Sequence, residues 1–272
     1  DAVKCILEDS EGWLWLGGGW DAGGPFGLCR YDGATFTTFT SADGLTSDWV
    51  LSLLQDRSGV LWIGTPESVD RFDGHRFTQA FPTDERQFLG GVEAIVEDRA
   101  GSLWFGIFGE GLRRVDGETH VRFGMSEGLT SSSPSAMLED RDGQLWVGYR
   151  SSGVSRYGGQ RLQTFTEDDG LAHTSAHALW ESPDGTLWAG TQGGLSSSDG
   201  QAFAVLEVTD KSVNRVRGDR HGNLWLSIAG QGVGRFDGRR LDIFHPPAHF
   251  YDATWPLLED RDERLWFVTQ GK

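Results

Sequence analysis

The sequence predicts an all-β chain, a β-propeller of seven blades of four antiparallel strands, with the seventh incomplete at two strands. Three observations predict it. A string Asp-x-x-Gly-x-Leu-Trp-x-Gly recurs along the chain, each copy is followed by further short apolar runs, and those runs are closed by Asp-Gly turns. Four copies are close to the pattern: DSEGWLWLG ending at Gly17, DRSGVLWIG at Gly64, DRAGSLWFG at Gly106 and DRDGQLWVG at Gly148. Three are looser: SPDGTLWAG at Gly190, DRHGNLWLS at Ser227 and DRDERLWFV at Val268. Their tryptophans are Trp15, Trp62, Trp104, Trp146, Trp188, Trp225 and Trp266, spaced by 47, 42, 42, 42, 37 and 41 residues. A period near 40 residues marks stacked supersecondary units, each too small to bury its own faces.

The strands of one unit follow in order. The first is short and mostly apolar, as in Val50-Leu51-Ser52-Leu53-Leu54, and a turn around Asp56-Arg57-Ser58-Gly59 leads to the second, Leu61-Trp62-Ile63-Gly64. The third reads Gly-Leu-x-Arg-Tyr/Phe-Asp-Gly, at Gly27–Gly33 and, with valine for leucine, at Gly232–Gly238. Its Asp-Gly ending is a strong hairpin signal. The fourth carries two aromatics, such as Phe36 and Phe39, and a Gly-Leu loop (Asp43-Gly44-Leu45, Glu127-Gly128-Leu129, Asp169-Gly170-Leu171) leads onward. Four short strands per repeat is the pattern of a propeller blade. The absence of a 3.6-residue apolar period excludes helical solenoids. The blades are expected over about 1–40, 47–81, 91–124, 133–166, 175–206 and 212–245, with a half blade at 253–272, all in one domain. The seventh unit stops after its second strand, so the chain reads as a piece of a longer one. The seven repeat tryptophans are expected to be buried at equivalent positions.

Composition narrows the function classes. A formal charge of −16 argues against a nucleic-acid partner, which needs clustered Lys and Arg. No apolar run approaches the length of a membrane span. Cys5 and Cys29 fall two strands apart in one blade, about 9.5 Å, too far for a disulfide, and read as buried apolar residues. His173 with His177, and His245 with His249, have metal-like spacing without a third ligand, and Asp140-Arg141-Asp142-Gly143 lacks the rest of a calcium loop, so no metal and no cofactor is expected. No Gly-x-Ser-x-Gly elbow supports a nucleophilic serine.

The unit EDRDGQLWVG, then GVSRYGG, then LQTFTEDDGL resembles the two-component regulator propeller repeat, along the whole chain. Blade five departs from it, with Ser197 and Ser198 in place of the Arg-aromatic pair, and blade six ends its second strand at Ser227. The resemblance implies a bacterial sensor propeller outside the cytoplasm, periplasmic or extracellular, that often answers carbohydrate-derived signals. It supplies no catalytic residue.

Comparison among the copies then separates scaffold from candidate site. The Asp-x-x-Gly and Asp-Gly turns gather at one end of the blades, and the longer loops at the other, which is the expected binding end. Near that end one position of the first strand differs in every copy: Lys4, Leu51, Glu93, Ser135, His177, Asn214 and Trp255. The residue two places on stays apolar: Ile6, Leu53, Ile95, Met137, Leu179, Val216 and Leu257. A varied, polar ring above a constant apolar one is expected at the mouth of a channel over a packed core. Candidate ligand-binding residues are therefore Lys4, Glu93, His177, Asn214 and Trp255, with Trp20, on the glycine-rich insertion of blade one, and Tyr149 near the rim. Trp49, Phe88, Phe108, Arg150 and Tyr251 belong to the same end. The expected function is non-catalytic: sensing of a carbohydrate or small molecule, or docking of a protein partner. A lyase or hydrolase acting on a glycan through the channel is the rival reading and would draw on Glu93, His177 and Lys4.

Overall fold

The computed structural model describes residues 2–19, 27–81, 90–159, 161–244 and 255–268. Six four-stranded antiparallel sheets follow one another in chain order, over 2–39, 52–79, 92–123, 134–165, 176–206 and 213–244. In each, the strands lie side by side in the order of the sequence. A two-stranded sheet, Trp255–Glu259 with Leu265–Val268, comes last. Among the described residues, six whole blades and one pair of strands are thus present. The remaining regular structure consists of three single turns of 3-10 helix, Ser41–Asp43, Met125–Glu127 and Glu167–Asp169. In each, an acidic side chain accepts the backbone N–H three residues before it: Asp43 from Thr40, Glu127 from Gly124 and Asp169 from Thr166. The glycine that follows takes a left-handed conformation (φ 105°, 99° and 88°) and turns the next leucine inward, so that Leu45, Leu129 and Leu171 are buried. No helix among the described residues is long and apolar enough to cross a membrane.

The described residues form two compact units, one of Asp1–Arg122 with Leu258–Trp266 and the other of Phe123–Leu257 with Phe267–Lys272. In each, the core is a set of apolar layers between successive blades. In the first unit Trp15, Leu28, Leu45, Val50, Ile63 and Phe72 fill the space between blades one and two, and Val69, Phe81, Val92, Phe105 and Ile107 that between two and three. The second unit repeats this with Trp146, Val154, Phe165, Ala176 and Phe203, then Leu195, Val213, Val216, Leu226 and Phe236. The glycine closing the repeat motif is explained by this stacking. A Cβ on Gly64 would stand 2.6 Å from the carbonyl oxygen of Val92 in the next blade, and one on Gly190 would stand 2.7 Å from that of Val213.

The motif aspartate and tryptophan lock each other. Asp9, Asp56, Asp98, Asp140, Asp219 and Asp260 each accept the indole N–H of the tryptophan six residues on, at 2.7–2.9 Å. Their second oxygen takes backbone N–H groups of the turn, as Asp140 takes those of Asp142 and Gln144. Blade five divides the role. Ser182 Oγ accepts the Trp188 indole at 3.0 Å, while Asp184 takes the Thr186 N–H.

The seven tryptophans are therefore alike in bonding, but they are not alike in burial, which corrects the expectation. Trp15, Trp104 and Trp146 are buried, whereas Trp62, Trp188, Trp225 and Trp266 are half-buried. In blades one, three and four the third-strand arginine lies over the indole, with Arg30, Arg114 and Arg156 at 5.7, 5.6 and 5.4 Å from the ring centroids. In blade two Arg71 instead donates to Thr78, and in blade five Ser197 stands in its place. Neither cysteine is in a disulfide; Cys29 is buried against Thr38, and Cys5 is half-buried rather than buried.

Candidate functional site

Each first strand pairs with the second of its blade, and the pairing breaks at one repeated point. Register passes from Val3 to Cys5 opposite Gly18 and Gly17, from Val92 to Ala94 opposite Ile107 and Gly106, and from Pro134 to Ala136 opposite Tyr149 and Gly148. It passes likewise from Ala176 to Ala178 and from Val213 to Arg215. The residue left over in each is Lys4, Glu93, Ser135, His177 or Asn214. In blade two regular pairing begins at Ser52, just after Leu51. In these five copies the position that differs is thus a β-bulge, an extra residue opposite none, whose side chain the strand re-aims out of the regular alternation.

The bulged residues have different surroundings. In the first unit Lys4 and Glu93 are both half-buried, on first strands in contact with that of blade two between them. Two aromatics flank them at the same end. Trp49, 42% exposed, precedes the blade-two strand and lies across Gly19, where a Cβ would stand 2.0 Å from its indole nitrogen. Phe108, also 42% exposed, lies across Gly90 in the same way. Bare glycine backbone under an aromatic holds the ring without covering its outer face.

In the second unit Ser135 is taken up by the scaffold, its hydroxyl donating to the carbonyls of Gly148 and, in the next blade, Ala176. His177 is half-buried, and burial, then the charges of Arg150, Arg215 and His173, hold its imidazole below the usual histidine range. Asn214 accepts the Ser212 hydroxyl at 2.9 Å on its side-chain oxygen, and its carbonyl takes an Arg215 guanidinium N–H at 2.8 Å.

Tyr149 is not a rim residue. It is 0% exposed, and burial pushes its phenol up to about 12, only partly offset by the neighbouring hydroxyls of Ser155 and Thr130. The reason is its pairing. Tyr149 stands opposite Pro134 inside the sheet, so the alternation that exposes Arg150 turns Tyr149 inward. Trp255 lies in the strand Trp255–Glu259, its side chain outside the described set, and Trp20, Phe88, Tyr251, His245 and His249 lie outside the described residues. Among the described residues no three His, Cys, Asp or Glu side chains gather as a metal would require.

Sequence reasoning missed one buried carboxylate. Asp70, 1% exposed in the third strand of blade two, accepts the Thr46 N–H at 2.7 Å, the Thr46 hydroxyl and the Ser68 hydroxyl. Burial raises its pKa, and those donors offset only part of the rise. An aspartate where the other copies carry Cys29, Arg113, Ser155, Ser196 and Gly234 was the available signal. A groove of ≈ 360 Å³, lined by Arg30, Phe39, Asp43, Phe72, His75 and Phe77, opens between the outer strands of blades one and two.

Known proteins share the repeat and the fold. Residues 44–67 and 128–151 match the family model of the two component regulator propeller. A 42-residue stretch is 45% identical to Histidine kinase P4 of Formosa agariphila, spanning 15% of this chain and 3% of that protein. The extracellular domain described as that of the hybrid two component system BT3049 of B. thetaiotaomicron superposes with a TM-score of 0.85 at 20% identity. The match covers 97% of this chain and 37% of that domain. Virginiamycin B lyase of Staphylococcus aureus, in a catalytically inactive form with quinupristin, gives a TM-score of 0.76 at 13% identity, covering 97% and 90%. The chain thus spans well under half of the sensor proteins it matches. With its blades, its locked Asp–Trp motif and these two matched repeats, the chain is a β-propeller that carries the two component regulator propeller repeat.

Proposed function

We propose that this propeller is a non-catalytic, ligand-sensing part of a bacterial two-component regulator, working outside the cytoplasm and recognising a carbohydrate at the loop-rich ends of its blades. The observation that carries the reading is the bulge. The fold breaks its own ladder at one point in five blades, and it places a different side chain there each time. A scaffold alone gains nothing from that variety, whereas a recognition surface does. Lys4 and Glu93 on the first unit, and separately His177 and Asn214 on the second, would meet hydroxyl or charged groups of a ligand, and Trp49 and Phe108 on the first unit offer open ring faces for the apolar side of a sugar. Trp20 and Trp255 remain proposed contacts from the sequence. The likeness to sensor ectodomains supports the location and the class. The likeness to a lyase is one of fold, and fold carries no chemistry by itself.

A glycan array followed by titration calorimetry on the best binder tests this. Glu93→Ala and Trp49→Ala should each weaken binding by about tenfold or more, with thermal stability unchanged. Binding that survives both changes, or that is lost on substituting the Asp-Gly turns instead, would sink the assignment.

A further inference from the structure

We infer that the groove between the outer strands of blades one and two is a binding site for an aromatic carboxylic acid, which gives its carboxylate to Arg30 and its ring to Phe39 and Phe77. The site uses none of the residues assigned to the carbohydrate above.

Among the described residues, Arg30 is the one third-strand arginine whose guanidinium has no hydrogen-bond acceptor. Its counterparts each have one. Arg71 donates to the Thr78 hydroxyl, Arg114 to that of Ser102, Arg156 to the Gly200 carbonyl and the Gln163 side chain, and Arg235 to the Asn223 side chain. The difference in blade one has its reason in the motif. Ser102 and Asn223 stand directly before the Leu-Trp of their copies, and at that place blade one has Trp13. Trp13 offers a ring face instead of an acceptor. The Arg30 guanidinium lies over it at 4.2 Å from the centroid, with Trp15 and Phe39 at 5.7 and 5.8 Å. Thr37, directly opposite Arg30 in the sheet, is exposed and takes no hydrogen bond from it. Half-buried, with rings against it and no acceptor at its edges, the guanidinium is preorganised to receive two oxygens side by side.

The groove that Arg30 lines measures ≈ 360 Å³, room for a small ligand built on a ring. Its apolar side is itself a cluster of rings. Phe72 stacks on Phe77 at 4.5 Å, and Phe39 meets Phe77 edge-on at 5.4 Å. Phe72 is buried, whereas Phe39 and Phe77 are half-buried in the lining, so a further ring extends the cluster by the same contacts. A neutral ring compound would still leave Arg30 without its acceptor. The one carboxylate in the lining, Asp43, has its Oδ2 engaged by the Thr40 N–H and hydroxyl at 2.9 and 3.2 Å, and no ion pair joins it to Arg30. It repels a second acidic group on the ligand and favours an ammonium. The same carboxylate-on-ring chemistry therefore has two sources, an aromatic amino acid or an aromatic acid without an amine.

The test is an NMR titration of the isotopically labelled chain with phenylalanine, phenylpropionate, phenylpropanamide and hexanoate. Expected is binding of at least one of the two aromatic acids, with shifts at the Arg30 side-chain N–H and the Gly74 and His75 amides. Phenylalanine as the tighter binder names an amino acid as the ligand class, and phenylpropionate an acid without an amine. The amide, which lacks the charge, and hexanoate, which lacks the ring, should bind about tenfold or more weaker. Arg30→Gln should weaken the acid by about as much, and Arg30→Lys should recover part of that loss. Because Arg30 also packs on Trp13, the deciding variant is Thr37→Glu. Thr37 is exposed, and cross-strand partners stand about 5 Å apart at Cβ, so the added carboxylate engages Arg30 from within the sheet. That variant should lose binding at the parent's melting temperature. No shift with either acid overturns the inference. So does an amide as tight as the acids, or parent affinity in Arg30→Gln or Thr37→Glu, and none of these results bears on the bulged residues.

Discussion

The lock between motif aspartate and tryptophan is the smallest repeated unit of this fold, and it is charge-assisted. In blade two burial raises the Asp56 carboxyl, but the Ser58 hydroxyl, the Trp62 indole and turn N–H groups outweigh it and leave the group below the usual range. Asp219 and Asp260 are lowered by the same balance. Asp140→Ala should cost about 2–3 kcal/mol in urea melts, as for a hydrogen bond to a charged group whose buried partner is left alone. Ser182→Ala, at the neutral acceptor of blade five, should cost nearer 1 kcal/mol. Equal losses would show that the carboxylate charge plays no part. The pH dependence has a worked sign. A lowered carboxyl contributes stability above its unfolded value, near 3.9, and loses it as pH falls through the folded value, so the locks of Asp56, Asp219 and Asp260 fail in acid. Asp70, raised by burial, contributes in the opposite sense: its folded form prefers the proton, and stability drains as pH rises through the folded value. Asp70→Asn should therefore gain on the parent as pH rises above the ordinary carboxylate value of about 3.9, read as the difference in urea midpoints. A difference that does not change with pH removes Asp70 as a titrating group. The lock was half legible beforehand. The repeated turn announced aspartates bonded to backbone, and the constant spacing of six from Asp to Trp held the other half. Asp70 was not legible, because one odd residue in a copy looks like drift until its three donors are seen.

At the scale of the strand and turn, glycine and its one replacement set the sharpest expectations. The turn glycine of the motif is left-handed throughout, as in Gly12, Gly59, Gly101, Gly143, Gly185 and Gly222. Blade seven places Glu263 there, at φ 65°, where a side chain is strained. Glu263→Gly should raise stability by about 1 kcal/mol, the usual cost of a left-handed non-glycine residue. A neutral or destabilising result in thermal melts would mean that the glutamate side chain compensates. Gly64→Ala should destabilise by about 1–3 kcal/mol, since the added methyl must displace the Val92 backbone. The elements themselves were readable from alternation and turn chemistry, and the strand order followed from them. The bulges were not, because an extra residue in a strand leaves the apolar pattern on both sides intact. What the sequence showed was only their consequence, one position that no copy shares. Tyr149 illustrates the same blindness. Counting from Trp146 along an unbroken strand does not reveal which of Tyr149 and Arg150 the loop turns outward.

Across whole blades, neighbours hold each other by a clasp repeated at the turn end. Arg57, second residue of its motif, donates from its backbone to Glu97 of the next blade at 2.9 Å and from its guanidinium to the Arg99 carbonyl. Arg141 grips Glu181 and the Ser182 and Pro183 carbonyls in the same way, and Arg261 grips Glu8 and the Asp9 carbonyl. Where blade one carries Ser10 in place of the arginine, blade two carries Gln55 in place of the glutamate, and the two still meet at 2.7 Å. The clasp from Arg261 to Glu8, with Tyr31 against Trp266 at 6.0 Å, seats the last described turn beside the first blade by the contact used between sequence neighbours. Arg261→Ala should raise amide exchange at the 260–264 turn and at Ser10–Gly12 together, at a small cost in global stability, since the arginine is half exposed. Exchange that rises on one side alone would mean that the clasp does not couple them. In each clasp described, one blade thus supplies the plug from the second residue of its turn and its neighbour the socket just before its own, so a head-to-tail joint is written into about ten residues. A gene that duplicates blade four, with Glu139 before its turn and Arg141 within it, would set an arginine against a glutamate at the new joint. For such a chain, the unit of inheritance and the unit of assembly coincide.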